Sequence, residues 1–325
     1  MSRHPRLAAV AVATAALTLL AAGPASAGDP AVSDPRVVAH FDFAAGETPE
    51  NIALEPDGSA LLTFAYAHKV VRVGRNGSGP TDVATLPTVT DPPSALVTGI
   101  VRAHDGTLYV NYVTGTEDEN GIWRVRPDGS APQRIVKVPV DGFPNGLALD
   151  EKCETLYAAD SARGVVWSAP VPDGDVEVDA TVWATGDALQ PTEDIPYGAN
   201  GLKLHDGAVW VSNSAQETLL RIPIRRNRSA GPIQTRATGL TGIDDFAFTG
   251  HGNTVLAALV TENKVELVRP DGTHKTVLTG ADGLSDPTSV AIRAKTVYVP
   301  SASYFAAADE KDPNLLLARI TRNKL

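Results

Sequence analysis

Internal repetition limits this chain more than any other feature. Six segments share one pattern: a short apolar strand, a turn that usually holds Asp-Gly, and a second strand of Leu, Val, Tyr or Trp. Asn51-Ile52-Ala53-Leu54 leads through Asp57-Gly58 to residues 60–64, and Gly99-Ile100-Val101 leads through Asp105-Gly106 to residues 108–112. The same order returns at Gly146, Gly201, Asp245 and Ser289. Asp-Gly accepts the left-handed backbone that a tight hairpin requires. A third strand follows, as in Gly121-Ile122-Trp123-Arg124-Val125, and a further turn such as Asp128-Gly129 leads to a fourth. The residues just before the first strands are Glu50, Thr98, Asn145, Asn200, Asp244 and Thr288, spaced 48, 47, 55, 44 and 44 residues apart. Four strands in each ~40–50-residue repeat mark a β-propeller. The chain is therefore expected to be all-β, a six-bladed β-propeller of four-stranded blades. The sixth repeat ends at its third strand, residues 315–320, and residues 37–43 supply the missing fourth. That pairing closes the ring and covers exposed strand edges.

The first 27 residues stand outside the repeat. Arg3, His4 and Arg6 precede an apolar run over residues 7–22, and Ala25-Ser26-Ala27 gives a small-x-small cleavage pattern. This is the layout of a secretory signal peptide. The expected domains are thus a leader over residues 1–27 and a single propeller over residues 28–325. The formal charge is −10, and the leader holds two Arg and no acid, so the mature chain carries −12. No Lys/Arg cluster offers the basic face that nucleic acid requires. Cys153 is the only cysteine, which excludes a disulfide within the chain. The expectation is a secreted monomer that meets a small-molecule substrate and, once cleaved, no membrane.

Hairpin logic sorts the loops. The Asp-Gly turns fall on one face, and the six anchor residues and the loops between second and third strands fall on the other. The anchors sit innermost, so their side chains can converge on the channel axis. Glu50, Asn145, Asn200 and Asp244 offer hard oxygen donors, and none of the six anchors is His or Cys. Calcium takes about six to eight such oxygens, whereas zinc recruits imidazole or thiolate. Each residue alone has a plainer account: Asn before Gly is common turn chemistry. Four oxygen side chains at one repeat offset favour a shared cation.

The segments Pro49-Glu50-Asn51-Ile52, Pro144-Asn145-Gly146-Leu147, Ala199-Asn200-Gly201-Leu202 and Gly242-Ile243-Asp244-Asp245 carry a resemblance. They are similar to the calcium-dependent six-bladed propeller hydrolases: the gluconolactonase/regucalcin, paraoxonase and diisopropylfluorophosphatase-like proteins. The resemblance implies a catalytic Ca2+ held by Glu50, Asn145, Asn200 and Asp244, with Asp245 where some members have a further ligand. Asn in the fourth blade is closer to the paraoxonase and fluorophosphatase arrangement than to gluconolactonase. Thr98 departs from the pattern, because paraoxonases place a catalytic His there.

The expected function is a calcium-dependent hydrolase acting on a lactone or related ester at the channel mouth. Asp244 is the first choice for base or nucleophile, with Asp245 and Glu50 next. Substrate contacts are expected from Thr98, Tyr112, Asp160, Tyr197, Asn213, Ser301 and Tyr304, and the 185–199 connection is a candidate lid or specificity loop. His68, in the loop after the second strand of blade one, is expected to be solvated. The rival from another class is a non-catalytic extracellular binding or scaffold propeller with a structural calcium or none.

Overall fold

Short runs of β-branched and aromatic residues, each stopped by a turn, pair as hairpins and assemble as six antiparallel blades in a ring. The computed structural model describes residues 31–89 and 95–321. The expected leader lies outside the described residues. From the axis outward, blade one is Pro49–Leu54, Ala60–Phe64, Lys69–Val73 and Thr81–Thr85. Blade two is Leu96–Arg102, Leu108–Val113, Gly121–Val125 and Gln133–Lys137. Blade three is Pro144–Asp150, Thr155–Asp160, Val165–Pro170 and Thr181–Thr185. Blade four is Ala199–His205, Ala208–Asn213, Thr218–Pro223 and Gln234–Ala237, and blade five is Ile243–Phe248, Val255–Leu259, Lys264–Val268 and His274–Thr279. Blade six is Ala291–Arg293, Thr296–Ser301 and Asn314–Ile320, completed by Val32–His40 from the other end of the chain.

The closing strand is where the sequence places it, but shifted. It begins at Val32, ends at His40 and pairs antiparallel with Asn314–Ile320. Beyond it, Asp42 caps a short 3-10 turn over Phe43–Ala45, so residues 41–43 leave the sheet. One strand was not foreseen. Val178–Asp179 pairs in parallel with Gln133–Lys137 and covers the outer edge of blade two.

The core lies between blades. Leu61 and Val70 of blade one meet Val97, Val110 and Trp123 of blade two, and comparable clusters fill the other junctions. Each large apolar side chain so buried stabilises the ring by about 1.5–3 kcal/mol. Near the axis there is less room. The ladder register shifts at Pro49/Asn51, Val97/Ile100, Pro144/Leu147, Ala199/Leu202 and Ile243/Phe246. The anchors Glu50, Thr98, Asn145, Asn200 and Asp244 all fall inside these irregularities. A bulge leaves residues unpaired and re-aims their side chains, which turns the anchors toward the axis.

The glycine after the anchor in blades two to four has a packing cause rather than a turn cause. A Cβ on Gly146 would lie 2.3 Å from Leu202 N and 2.5 Å from Asn200 O. Inner strands of neighbouring blades touch there through backbone. Side chains then latch one blade to the next. Thr63 Oγ1 donates to Thr98 O at 2.7 Å, Thr98 Oγ1 to Pro144 O at 2.7 Å, and Asn111 Nδ2 to Asn145 O at 2.6 Å. Ser161 Oγ donates to Ala199 O at 2.8 Å, Ser214 Oγ to Ile243 O at 2.6 Å, and Thr288 Oγ1 to Pro49 O at 2.9 Å.

Gly146→Ala is expected to force blades three and four apart and to cost about 1–3 kcal/mol, the usual range for overpacking. Gly79→Ala, with open space around the added methyl, is the control and should melt like the parent. Thermal melts of the two variants decide it; equal melting would mean that the inner strands can separate freely.

Candidate metal centre and its cavity

The four bulged anchors Glu50, Asn145, Asn200 and Asp244 come together on one cavity of about 460 Å³. The amide nitrogens of the two asparagines are tied down in the same way. Asn145 Nδ2 donates to Ser161 Oγ at 3.4 Å, and Asn200 Nδ2 donates to Ser214 Oγ at 2.9 Å. Each serine passes its own proton to a carbonyl of the next blade. With the nitrogens engaged, the carbonyl oxygens are left free of these tethers, and Asn200 Oδ1 is buried with no hydrogen-bond partner among the described residues. A buried acceptor without a partner is costly, so this oxygen is poised for a ligand.

The two carboxylates are strained electrostatically. Burial, reinforced by the Asp245 charge and opposed by a hydrogen bond from Tyr304, pushes Glu50 up to about 7. The Tyr304 hydroxyl donates to Glu50 Oε2 at 2.6 Å. Asp244 is pushed well above its usual range by burial and by Glu50 and Asp245, while Asn200 and Lys203 pull it back. Burying two like charges side by side favours neutralisation by a proton or a cation. Among the described residues no three His, Cys, Asp or Glu converge as ligands, so a cation here would depend on the amide oxygens as well. Two acids, two oriented amides and an orphaned buried oxygen form a donor set that fits a hard divalent ion.

Asp245 has different surroundings from those expected of a reacting group. It is 1 % exposed and does not line the cavity. Lys203 Nζ donates to its Oδ1 at 2.7 Å and its Oδ2 at 2.6 Å, Ser289 Oγ donates to Oδ2 at 2.7 Å, and Asn51 Nδ2 to Oδ2 at 3.1 Å. Residues from blades one, four, five and six thus meet on one carboxylate, with its charge already matched by an ammonium.

Of the seven residues expected at the substrate, Tyr197 and Tyr304 line the cavity, and Thr98, Tyr112, Asp160, Asn213 and Ser301 do not. These five are buried away from it. Thr98 is a latch to Pro144, and the Tyr112 hydroxyl donates to Pro87 O. Asp160 accepts from Phe143 N and Arg163 N, both at 2.9 Å, and from Trp167 Nε1 at 2.7 Å. Asn213 donates to Ala188 O at 2.9 Å and Gln190 O at 3.0 Å, pinning the 185–199 connection. Ser301 is enclosed, its Oγ without a partner. His68 is not solvated as expected: it is half-buried, with Nε2 2.8 Å from Ala95 O. It does not line the cavity.

Other residues shape the site without having been singled out. Phe43, Tyr66, Phe143 and Phe305 add aromatic wall, and Glu217 adds a third carboxylate. Phe305 is held in place by Asp286, whose Oδ2 accepts from Phe305 N at 2.6 Å. The tethers Ser161 and Ser214 had a visible signal, since each follows the polar end of a second strand, at Asp160-Ser161 and Asn213-Ser214. The pinned 185–199 connection carries Ile195 and Tyr197 and forms one wall.

No family model and no curated protein matches the chain. Solved structures do. Regucalcin from Agrobacterium tumefaciens, described as a calcium-binding protein, superposes with a TM-score of 0.64 at 14% identity over 88% of this chain and 93% of that one. A candidate gluconolactonase gives 0.63 at 16% identity over 90% and 93%. The aldose sugar dehydrogenase of Streptomyces coelicolor, solved with PQQ bound, gives 0.63 at 17% identity over 90% and 99%. At these identities the likeness is one of fold: the chain shares the six-bladed propeller architecture of gluconolactonase-like and regucalcin proteins.

Proposed function

We propose that this protein is a secreted, monomeric, calcium-dependent hydrolase that opens a lactone or a related ester at this cavity. The observation that carries the proposal is the convergence of Glu50, Asn145, Asn200 and Asp244 from four blades on one cavity, with Asn200 Oδ1 buried and without a partner among the described residues. No His or Cys lines that cavity among the described residues, which favours calcium over zinc. The likeness to a calcium-binding regucalcin and a candidate gluconolactonase supports the same reading. Secretion is supported by the leader pattern of residues 1–27.

Calcium held by Glu50, Asn145, Asn200 and Asp244 would supply Lewis acidity toward a carbonyl oxygen and its developing negative charge. The remaining work falls to the protein. The Asp244 carboxylate takes a proton from water as the water oxygen bonds to the carbonyl carbon, and returns it to the alkoxide as the ester C–O bond breaks. Tyr304 holds Glu50 in place through its hydroxyl. Ser161 and Ser214 keep both amide oxygens turned from the tethers. Asp245 takes no proton in this scheme; its ion pair with Lys203 fixes the bulge that carries Asp244.

Calorimetric titration should show calcium binding that Asn200→Ala and Asp244→Asn each weaken at least about tenfold, a loss of about 1.4 kcal/mol. Asp244→Asn should also lower turnover of the best lactone by roughly 10²–10⁴-fold with little change in melting. Asp245→Asn should do the reverse. It leaves calcium affinity within a few-fold but strands Lys203, and losing one partner of a buried pair costs about 3–5 kcal/mol, less here because Lys203 is partly exposed. Unchanged calcium binding in both Asn200→Ala and Asp244→Asn would place the ion elsewhere. An absence of lactone or aryl-ester turnover in a protein that calcium still stabilises would favour a binding propeller.

The Glu50 shift sets a pH dependence. Between its ordinary 4.5 and about 7, the folded metal-free protein keeps a proton that the unfolded chain has released. Stability therefore falls as pH rises through that window. Calcium must displace the same proton, so its affinity and the melting shift it gives should climb as pH rises toward ~7. Melts across this range with calcium and with chelator test it; a calcium shift that stays flat would count against Glu50 as a ligand.

A further inference from the structure

The cavity has a wall as well as a floor, and the two differ in kind. Phe43, Tyr66, Phe143, Tyr197, Tyr304 and Phe305 line it, six of the chain's eighteen Phe, Tyr and Trp. Five of them stand edge to face in two groups. Tyr304 lies between Tyr66 and Phe305, with ring centroids 5.9 and 6.5 Å apart, and Phe143 meets Tyr197 at 5.7 Å. Tyr66, Tyr197 and Phe305 remain 50%, 46% and 64% exposed. Large aromatic surfaces left open around one cavity mark a binding surface rather than core.

The charges in the cavity are of one sign. Glu50, Glu217 and Asp244 line it, and no Lys, Arg or His does among the described residues. Glu217 has no part in the proposed chemistry. It is half-buried, it sits on a left-handed backbone at φ 56°, and among the described residues no hydrogen bond or ion pair engages its carboxylate. A divalent cation on the floor would neutralise Glu50 and Asp244 and leave the Glu217 charge facing the aromatic wall. The wall already accepts one ammonium from within the protein. Lys311 Nζ lies 4.5 Å from the Phe43 ring centroid, held by the carbonyls of Ser303 at 2.7 Å and Tyr304 at 2.8 Å.

We infer that this cavity binds an organic cation, an alkylated ammonium group that rests against the aromatic wall with Glu217 as its counter-charge. Aromatic faces attract such a group through the ring quadrupole, by about 0.5–2 kcal/mol per favourable contact. The remaining Glu217 charge disfavours anionic ligands, and the aromatic wall offers few partners to a polyhydroxylated one. As a statement about the substrate, an ester or lactone that carries the ammonium group, this rests on the hydrolase reading. As a statement about binding it rests on the cavity alone.

The test uses the mature chain with choline and with 3,3-dimethylbutanol, its neutral isostere, by calorimetry in saturating calcium and again with chelator. Choline is expected to bind about tenfold or more tighter than the isostere. Glu217→Gln and Tyr197→Leu should each remove about three- to thirty-fold of choline affinity while leaving the alcohol within about twofold. Equal affinity for the two probes, no binding of either, or indifference to Glu217→Gln overturns the inference. Should a variant fail to fold, the comparison of the two probes on the parent protein still decides. Turnover of acetylcholine against 3,3-dimethylbutyl acetate then separates the two proposals. Choline binding with no ester turnover would sink the hydrolase reading alone, whereas preferred turnover of the neutral ester, with choline unbound, would sink the cation site alone.

Discussion

The site depends on a ring of side-chain-to-backbone hydrogen bonds that tie the first two strands of each blade, and the residues flanking them, to the inner strand of the next. Thr63, Thr98, Asn111, Ser161, Ser212, Ser214 and Thr288 each donate to a carbonyl at or just before the next blade's anchor. Interblade apolar packing is non-directional and would tolerate small slippage. These bonds are directional, and they act on the bulged segments that carry Glu50, Asn145, Asn200 and Asp244. At the junction of blades five and six the device changes, and Ser289 donates to the Asp245 carboxylate instead. The two anchors without carboxylate or amide, Thr98 and Thr288, are latches themselves. All six anchor positions therefore have a use, though not the same one.

Asp245 shows how close a structural and a reacting role can lie. It neighbours Asp244 in sequence and shares its bulge, yet the alternation of strand side chains sends it deeper along the axis. There it meets Lys203, Asn51 and Ser289. Its charge still reaches the cavity, since it helps push Glu50 and Asp244 upward. Lys203 offsets that effect at Asp244. An ammonium fixed on the axis thus tempers the field of the floor without taking up a position in the cavity.

The blades, their order, the closing strand and the convergence of the four oxygen anchors were legible because each follows from a repeat offset. Period alone did not reveal what each side chain touches. Asp160 and Asn213 occupy equivalent ends of second strands, on the face that carries the cavity, and so looked like substrate contacts. Both instead accept the backbone N–H three residues on, from Arg163 and Gln216, and cap the turn. The recurrence that drew attention to them is the signature of a shared turn. Turn chemistry was the plainer alternative for Asn-Gly at blades three and four, whereas the glycines stand where neighbouring backbones touch. The aromatic wall was the least legible part. Phe43, Tyr66, Phe143 and Phe305 come from loops of different blades with no common offset, so only the folded ring brings them together.

This division of labour has a physical logic. The floor is made by bulged inner strands locked blade to blade, where a shift of one residue would break several bonds at once. The wall is made by loops held individually: Phe305 by Asp286, Phe143 beside Asp160, Tyr197 on a connection pinned by Asn213 and Gln216. A shift of the latched backbone in the floor alters the electrostatics and the fold together. A change in the wall alters only shape, polarity and charge around a fixed set of oxygens. Glu217 belongs to the wall by position and to the floor by charge, since it lines the same cavity as Glu50 and Asp244 while standing outside the latch ring. Of the three acids it is the one carried by a loop rather than by a latched inner strand.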